Sequence, residues 1–377
     1  MRRPALALLS LPLLLTACGG EEPVEVTDED IEAIEQSIVN ISTLSWELVQ
    51  AEYRVGSMCM QDEGYTVHDP LALFGSTVPN RFTGFASPYA RIPTVEQAEK
   101  FAFGDWVTWT DTDAALEMRE DPDYLAATAE DQGYWEPAWD AEHEEFEAQG
   151  EDYTVAWEKA WKGTERYEYD QAFSEVMESA EDPAEVDLDL EQPPFGGCEL
   201  ETIETVYGEP EKREFDDGSV AWLKPGNDES PLTQIGDGEI YGEMLDEYAD
   251  EEDSFLDCLA DRGYGEWEFS EIGWLATDQY ITVNLYGDTT IAYEGDERVE
   301  VPELPDDLDT TDPVAAEFAI ALDFAQCAED SGLRDGSEEL FARLYVEKLM
   351  PNQTEIYAQE QQVKDHLANA QAYIEGE

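Results

Sequence analysis

Three stretches of the chain repeat one phrase, Cys-x-x-Asp-x-Gly followed by Tyr or Leu. They are Cys59 to Tyr65 (CMQDEGY), Cys258 to Tyr264 (CLADRGY) and Cys327 to Leu333 (CAEDSGL). In each, a cysteine late in an apolar, helix-like run stands five residues before a glycine. Glycine adopts the left-handed conformation that closes a helix without steric cost. Gly64, Gly263 and Gly332 are therefore predicted helix caps, with Tyr65, Tyr264 and Leu333 packing back on the final turn. The phrase places a cysteine in the last turn of each of three helices. The aspartates beside the caps (Asp62, Asp261, Asp330) oppose the helix dipole, so helix electrostatics do not account for them. Solubility or a side-chain hydrogen bond is what remains.

A fourth cysteine, Cys198, lies in GGCELETIETVYG, where Gly196 and Gly197 precede it and Glu199 and Glu201 follow. Acidic residues at that place mark a helix N-terminus. Setting Cys18 aside, the even count suits two disulfides in an oxidising compartment. Four cysteines allow three pairings. The preferred one is Cys59–Cys198 and Cys258–Cys327, one bridge per lobe, each closing a long loop worth roughly 4–5 kcal/mol. No CxxC pair exists, the cysteines are far apart in the chain, and only His68, His143 and His366 could assist a metal, so no metal site and no cofactor is predicted.

The first residues, MRRPALALLSLPLLLTAC, carry Arg2 and Arg3 ahead of an apolar run from Ala5 to Leu15. The run has the length of a signal-peptide core and is too short for a membrane span. Leu15-Thr16-Ala17-Cys18 resembles a bacterial lipobox. That resemblance implies cleavage before Cys18 and attachment of lipid, with palmitate-type acyl chains, to its thiol. A flexible acidic tether, residues 18–27, follows, with a reach of roughly 30 Å. The expected location is the outer face of a cell membrane, held there by the acyl chains.

Acidic residues number 92 against 19 basic, a formal net charge of −73. Such a surface excludes nucleic acid and repels anionic headgroups, so the membrane is met only through the lipidated N-terminus. With 42% hydrophobic residues the chain can still bury a core.

Four further features together resemble a group of secreted actinobacterial lipoproteins. These are the Cys59-Met60 phrase ending at Tyr65, and the helix from Gly197-Cys198 to Val206-Tyr207-Gly208. The others are Trp157-Glu158-Lys159-Ala160-Trp161-Lys162-Gly163, with Trp161 in place of a more usual small aliphatic, and Glu317 to Cys327 with Asp323 four residues before the cysteine. The motifs are structural, and the resemblance implies no activity.

The pattern along the chain predicts a mainly α fold with a small β element (α+β), built as disulfide-stapled helical lobes. The expected divisions are a signal peptide at 1–17, the tether at 18–27 and a helical N-terminal lobe at 28–180. A linker at 181–196, a mixed α/β segment at 197–302 and a linker at 303–313 follow. The last part, 314–377, is a pair of helices packing on the preceding segment, the second broken near Pro351. Asp28 to Gly64 reads as one helix, Thr94 to Gln97 as a capping box, and Trp106 to Phe173 as helical. Ala221-Trp222-Leu223 and Tyr280-Ile281-Thr282-Val283 read as strands, with a hairpin turn at Gly287-Asp288. Asp216-Asp217-Gly218 and Asp237-Gly238-Glu239 read as turns.

Trp135/Trp139 and Trp157/Trp161 are i,i+4 pairs that suit either a core stripe or a sugar-stacking platform, the core stripe being the simpler. Glu142-His143-Glu144 reads as a solvated histidine. Asp323, on an apolar helix, calls for a hydrogen bond or an arginine such as Arg334. No nucleophile elbow, zinc-protease, P-loop or dinucleotide fingerprint is present, and no catalytic residue is assigned. The sequence thus favours a non-enzymatic envelope scaffold or accessory protein with a possible envelope protein partner. The alternatives are a carbohydrate- or cation-binding lipoprotein and, behind it, a carboxylate-type extracellular hydrolase.

Overall fold

The computed structural model describes residues 26–74, 81–127, 138–179, 191–215, 220–226, 237–287, 293–294, 297–298 and 301–376. Cys18, Trp135, Asp288 and Asp216 to Gly218 lie outside them, as do the side chain of Trp139 and most of the tether and of the 181–196 linker.

The fold is mainly α. The long helix α1 (Asp28–Asp62) starts at Thr27, whose hydroxyl accepts from the Asp30 amide at 3.2 Å while Asp30 accepts from the Thr27 amide at 3.0 Å. Short helices follow: α2 (Pro70–Phe74), α3 (Val95–Phe101), α4 (Asp105–Trp109), α5 (Asp113–Met118) and α6 (Pro122–Ala127). Then come α7 (Ala138–Glu147), α8 (Glu151–Lys162), α9 (Thr164–Ser179) and α10 (Gly197–Val206). Strands β1 (Glu211–Glu214) and β2 (Val220–Leu223) pair antiparallel, Glu211 opposite Leu223. After α11 (Asp237–Asp261) and α12 (Thr277–Ile281), β3 (Tyr293–Glu294) and β4 (Glu297–Arg298) make a minimal second ribbon. The chain continues through α13 (Pro313–Ser331), α14 (Ser337–Leu349), a 3₁₀ turn at Met350–Asn352 and α15 (Gln353–Glu375).

The predicted capping box opens α3, with Thr94 and Gln97 exchanging hydrogen bonds at 2.9 and 3.2 Å. The break at Pro351 is the 3₁₀ turn. The stretch expected to be helical, Trp106 to Phe173, is made of separate helices, α4 to α9, with breaks at Thr112, Pro122, Gly150 and Gly163 among the described residues. Tyr280 to Val283 is not a strand. Tyr280 and Ile281 are adjacent and both fully buried, which alternation across a strand would not allow for a one-sided sheet. They close α12, which runs on as a π-helical turn over Thr282–Tyr286 and stops at left-handed Gly287. Asp237-Gly238-Glu239 is the first turn of α11 rather than a free turn.

All three phrases end helices in the same way. The residue after each glycine donates its amide back to the carbonyl just after the cysteine: Tyr65 to Met60 at 2.9 Å, Tyr264 to Leu259 at 3.1 Å and Leu333 to Ala328 at 3.1 Å. That bond, with the glycines at φ 97°, 90° and 76°, defines a Schellman cap. Tyr264 and Leu333 are buried. Asp62, Asp261 and Asp330 are exposed.

The disulfides join Cys59 to Cys198 and Cys258 to Cys327. The first ties the end of α1 to the start of α10, across residues 181–196, so it binds two of the expected divisions together rather than staying within one lobe. The second ties α11 to α13. Beside it Asp323 is held by Arg262 and by the Tyr264 hydroxyl at 2.7 Å. Its arginine is thus Arg262, from the second cysteine phrase. Arg334 instead donates to the carbonyls of Ala90 and Ile92 and to Glu338 at 2.6 Å.

The main core gathers α11, α12, α13 and α14 around Phe255, Tyr264, Tyr280 and Phe324. The C-terminal helices meet the segment before them, α13 and α14 against α11 and α15 against α10, and α15 also lies along α1. Ile356 shares a core with Ile34 and Ile38, Glu360 accepts from Ser37 and Asn40, and Leu367 and Ala370 meet Leu48, Ala51 and Val55. The numbers rise together, so the two helices are parallel.

Candidate functional site

Three helices turn one face each toward one cavity, α1 and α15 at positions i, i+3, i+4 and i+7 and α10 at i, i+3 and i+4. From α1 come Ser45, Leu48, Val49 and Glu52. From α15 come Gln359, Gln362, Val363 and His366. From α10 come Glu199, Thr202 and Ile203, with Tyr207 just beyond. The cavity has a volume of about 520 Å³, within the range of small-molecule sites. Leu73 and Phe74 of α2, Trp161 of α8, Phe195, and Trp222 and Leu223 of β2 complete its apolar wall.

A glycine contact explains how α8 and α10 reach this place. An ideal Cβ on Gly197 would fall 2.1 Å from the Ala160 carbonyl oxygen and 2.5 Å from that of Trp161. Only glycine lets the α10 start press against the α8 end so closely. On the other side, a Cβ on Gly56 would lie 2.9 Å from the Trp161 ring, so the indole is seated against bare α1 backbone. Trp157 and Trp161 stack at 6.2 Å and are buried. They are core residues first, and Trp161 also edges the cavity.

The wall's lysine and arginine stand against its own carboxylates. Glu52, 7% exposed, takes Lys224 Nζ at 2.9 Å and the Tyr207 hydroxyl. Burial, and then the charge of Glu52, push the Tyr207 phenol far up. Arg166 stacks on Phe195 at 4.0 Å and donates to the Pro193 carbonyl. Its Nε stands 3.9 Å from Glu199 Oε2, beyond hydrogen-bond reach. Burial raises the Glu199 carboxyl, opposed by the charge of Arg166. His366 faces the Tyr207 ring at 4.7 Å and meets the Val206 carbonyl through Nδ1 at 3.2 Å. Asn369 donates to the same carbonyl, so the C-terminal end of α10 is capped by α15. Glu199 Oε2 and His366 Nε2 are both buried and have no hydrogen-bond partner.

Sequence reasoning did not find this site. Each contributing face looks like an ordinary amphipathic stripe, and Glu52 and Glu199 are two acids among 92. The signal that was available is scarcity. The chain has 19 Lys and Arg and 3 His, yet Arg166, Lys224 and His366 converge on one cavity.

A second cavity of similar volume lies between α3–α4 and α12, lined by Asp105, Tyr124, Arg91, Trp274, Thr277 and Asp278 among others. Below it sits Glu317 of α13, fully buried. Its carboxylate accepts from the amides of Gly104 at 3.1 Å and Trp106 at 2.9 Å and from the Tyr286 hydroxyl at 2.6 Å. Glu317 thus caps the N-terminus of α4 from another helix. Burial raises its carboxyl to about 7 against those hydrogen bonds. Asp105 is pushed up to about 8 by burial and by the charges of Glu317 and Asp278.

His143 is half-buried and bonded to Asp69 at 3.0 Å, rather than simply solvated. Among the described residues no group of three or more His, Cys, Asp or Glu is placed to hold a metal ion, and no helix is long and apolar enough to cross a membrane. Comparison of the chain with protein-family models, with curated proteins and with solved structures gives no match.

Proposed function

We propose that this chain is a lipid-anchored extracytoplasmic protein that binds a small solute in the cavity between α1, α10 and α15. The observation that carries the reading is the cavity itself: about 520 Å³, with polar and apolar groups mixed in its lining and one face each of α1, α10 and α15 in its walls. A concave site of this size that sets a few polar groups among apolar and aromatic side chains is of the kind that takes small solutes. The two disulfides suit an oxidising compartment outside the cytoplasm. The anchor rests on the Leu15-to-Cys18 signal, and mass spectrometry of the membrane-extracted protein checks it: Cys18→Ser should lose the acyl mass and release the protein from the membrane. An accessory or scaffold role would need a docking surface, and the cavity favours solute binding over it.

The test is a thermal-shift screen of the full chain in detergent against pooled small polar solutes. At least one pool should raise Tm, and Val49→Trp, which fills the cavity from α1, should abolish that shift while leaving the helical circular dichroism intact. Stabilisation by no pool, or by the same pools equally in Val49→Trp, would overturn the reading.

A further inference from the structure

We propose that the second cavity, between α3–α4 and α12, binds an organic cation of the primary amine or polyamine class, its ammonium on the Asp105 carboxylate and its hydrocarbon against the aromatic lining. This is a different cavity from the one above, and the proposal does not rest on that one being a solute site.

The cavity, rather than its acids, is the starting point. It measures about 520 Å³ and mixes polar with aromatic groups, the make-up of a small-molecule site. Three of its aromatic residues keep surface to offer a ligand. Trp274 is 40% exposed, and Phe103 and Tyr241 are half-buried. Aromatic faces attract cations and pack on methylene chains. The lining already engages one cation in this way: the Arg91 guanidinium lies 3.9 Å from the Trp274 ring centre.

Asp105 supplies the charge. It is half-buried, it lines the cavity, and its carboxylate accepts no hydrogen bond among the described residues. Its amide is used, since it donates to Glu317. Its carboxylate oxygens are not sealed off either: the unpartnered side-chain atoms cut off from solvent belong to other residues. The charges acting on it are those of Glu317 and Asp278, both of its own sign, while Arg91 is engaged with the indole. A half-buried carboxylate among like charges is costly, and a cation in the cavity relieves that cost. An anion would add to the repulsion, and a neutral solute would leave it as it stands. A bare metal ion is poorly served, because among the described residues no three carboxylate, histidine or cysteine side chains converge to hold one. An ammonium needs fewer acceptors and can use the aromatic wall. Asp278, exposed on α12, offers a second ammonium a partner, which favours diamines and longer amines.

Proton release accompanies binding. Burial and the like charges hold the Asp105 carboxyl up at about 8, and the amine takes its ionised form. Glu317 of α13, raised to about 7, acts in the same sense. The nearby phenols, Tyr124 of α6 and Tyr286, are pushed above their ordinary value and stay neutral. Affinity therefore strengthens as pH rises toward 8.

The experiment is calorimetric titration of the full chain in detergent at about 0.3 M sodium chloride, which screens diffuse attraction to the acidic surface. The probes are butylamine, putrescine and spermidine, with magnesium chloride and glucose as controls. Saturable binding of at least one amine is expected. Asp105→Asn should weaken it about tenfold, and Asp278→Asn about threefold. Affinity of the wild type should rise about tenfold or more from pH 6 to pH 8, a slope that Asp105→Asn should largely lose. Val49→Trp, in the other cavity, should leave amine binding unchanged. Asp278→Asn alters only an exposed side chain, so it remains informative if Asp105→Asn disturbs α4.

Amines that bind no more tightly than magnesium are held by the surface field alone and would overturn the proposal. Equal affinity in wild type, Asp105→Asn and Asp278→Asn would also overturn it. Loss of amine binding in Val49→Trp would move the amine to the other cavity and do the same. Silence of every amine, with or without binding of glucose, removes the site.

Discussion

Gly197 and Gly332 both have positive φ, 57° and 76°, yet they serve different ends. Around Gly332 a Cβ would meet open space, so Gly332→Ala carries only the left-handed penalty of about 1 kcal/mol. At Gly197 the same methyl would collide with two carbonyl oxygens of α8, and Gly197→Ala should cost about 3 kcal/mol or more. Urea midpoints of the two variants test the contrast; equal losses would mean that the α8–α10 approach is not as close as described. Asp105 supplies a second residue-scale prediction. Its carboxyl is raised from an ordinary 3.8 to about 8, so between those values the folded protein holds a proton that the unfolded chain has released. Stability from this group is therefore full at low pH and falls as pH rises through about 8. Glu317 acts in the same sense up to about 7. Asp105→Asn should flatten the decline and be more stable than wild type at pH 8, by about 1 kcal/mol or more, as measured by urea unfolding at pH 5 and pH 8.

At the scale of elements, the caps and staples show what was legible in the chain. Cys-x-x-x-x-Gly specifies a local geometry, and local geometry is what sequence states most directly: the helix ends at Gly64, Gly263 and Gly332, the start at Gly197 and the box at Thr94 are all where the pattern puts them. Asp323 marks the limit. That it needs a partner follows from its apolar helix, but which arginine answers depends on how α11 meets α13, and only the fold brings Arg262 rather than Arg334 to it. Tyr280 to Val283 fails for a related reason, since tertiary burial overrides a β-branched local preference. The cavity was illegible because its parts are spread over three helices whose inward faces look ordinary one at a time.

Two predictions belong here. Glu317→Ala strands the amides that open α4 and should cost about 3 kcal/mol, whereas Glu317→Gln, which keeps an acceptor, should cost less; parity between them would remove the cap from the account. Replacing Cys258 and Cys327 together by alanine releases a loop of 69 residues and should lower stability by about 4 kcal/mol. Denaturant curves of the two oxidised proteins check this.

Over the whole molecule the −73 charge sets the terms. Ion pairs exist, such as Lys162–Asp170 at 2.6 Å and Lys364–Glu360 at 2.6 Å, but the acids far outnumber the bases available to meet them. Self-repulsion of this size destabilises the compact state and is screened by salt. Tm should rise by about 5 °C or more between roughly 0.05 and 1 M sodium chloride, and a flat or falling curve in calorimetry would contradict that.

The parallel course of α1 and α15 has a bearing on stature. Arg343 grips the foot of α1 through the Val26 carbonyl at 3.0 Å and Asp28 at 3.2 Å, whereas Tyr373, in the last turn of α15, reaches Glu201 beside the α1–α10 bridge. A helix of 35 residues is about 52 Å long, so those two places stand nearly that far apart. If the foot of α1 is what faces the lipid, the cavity is carried partway up this mast and the end of α15 near its top. A fluorophore on Gln371 would then sit tens of ångströms above the bilayer, beyond efficient quenching by headgroup dyes, while one on Glu29 would be dimmed.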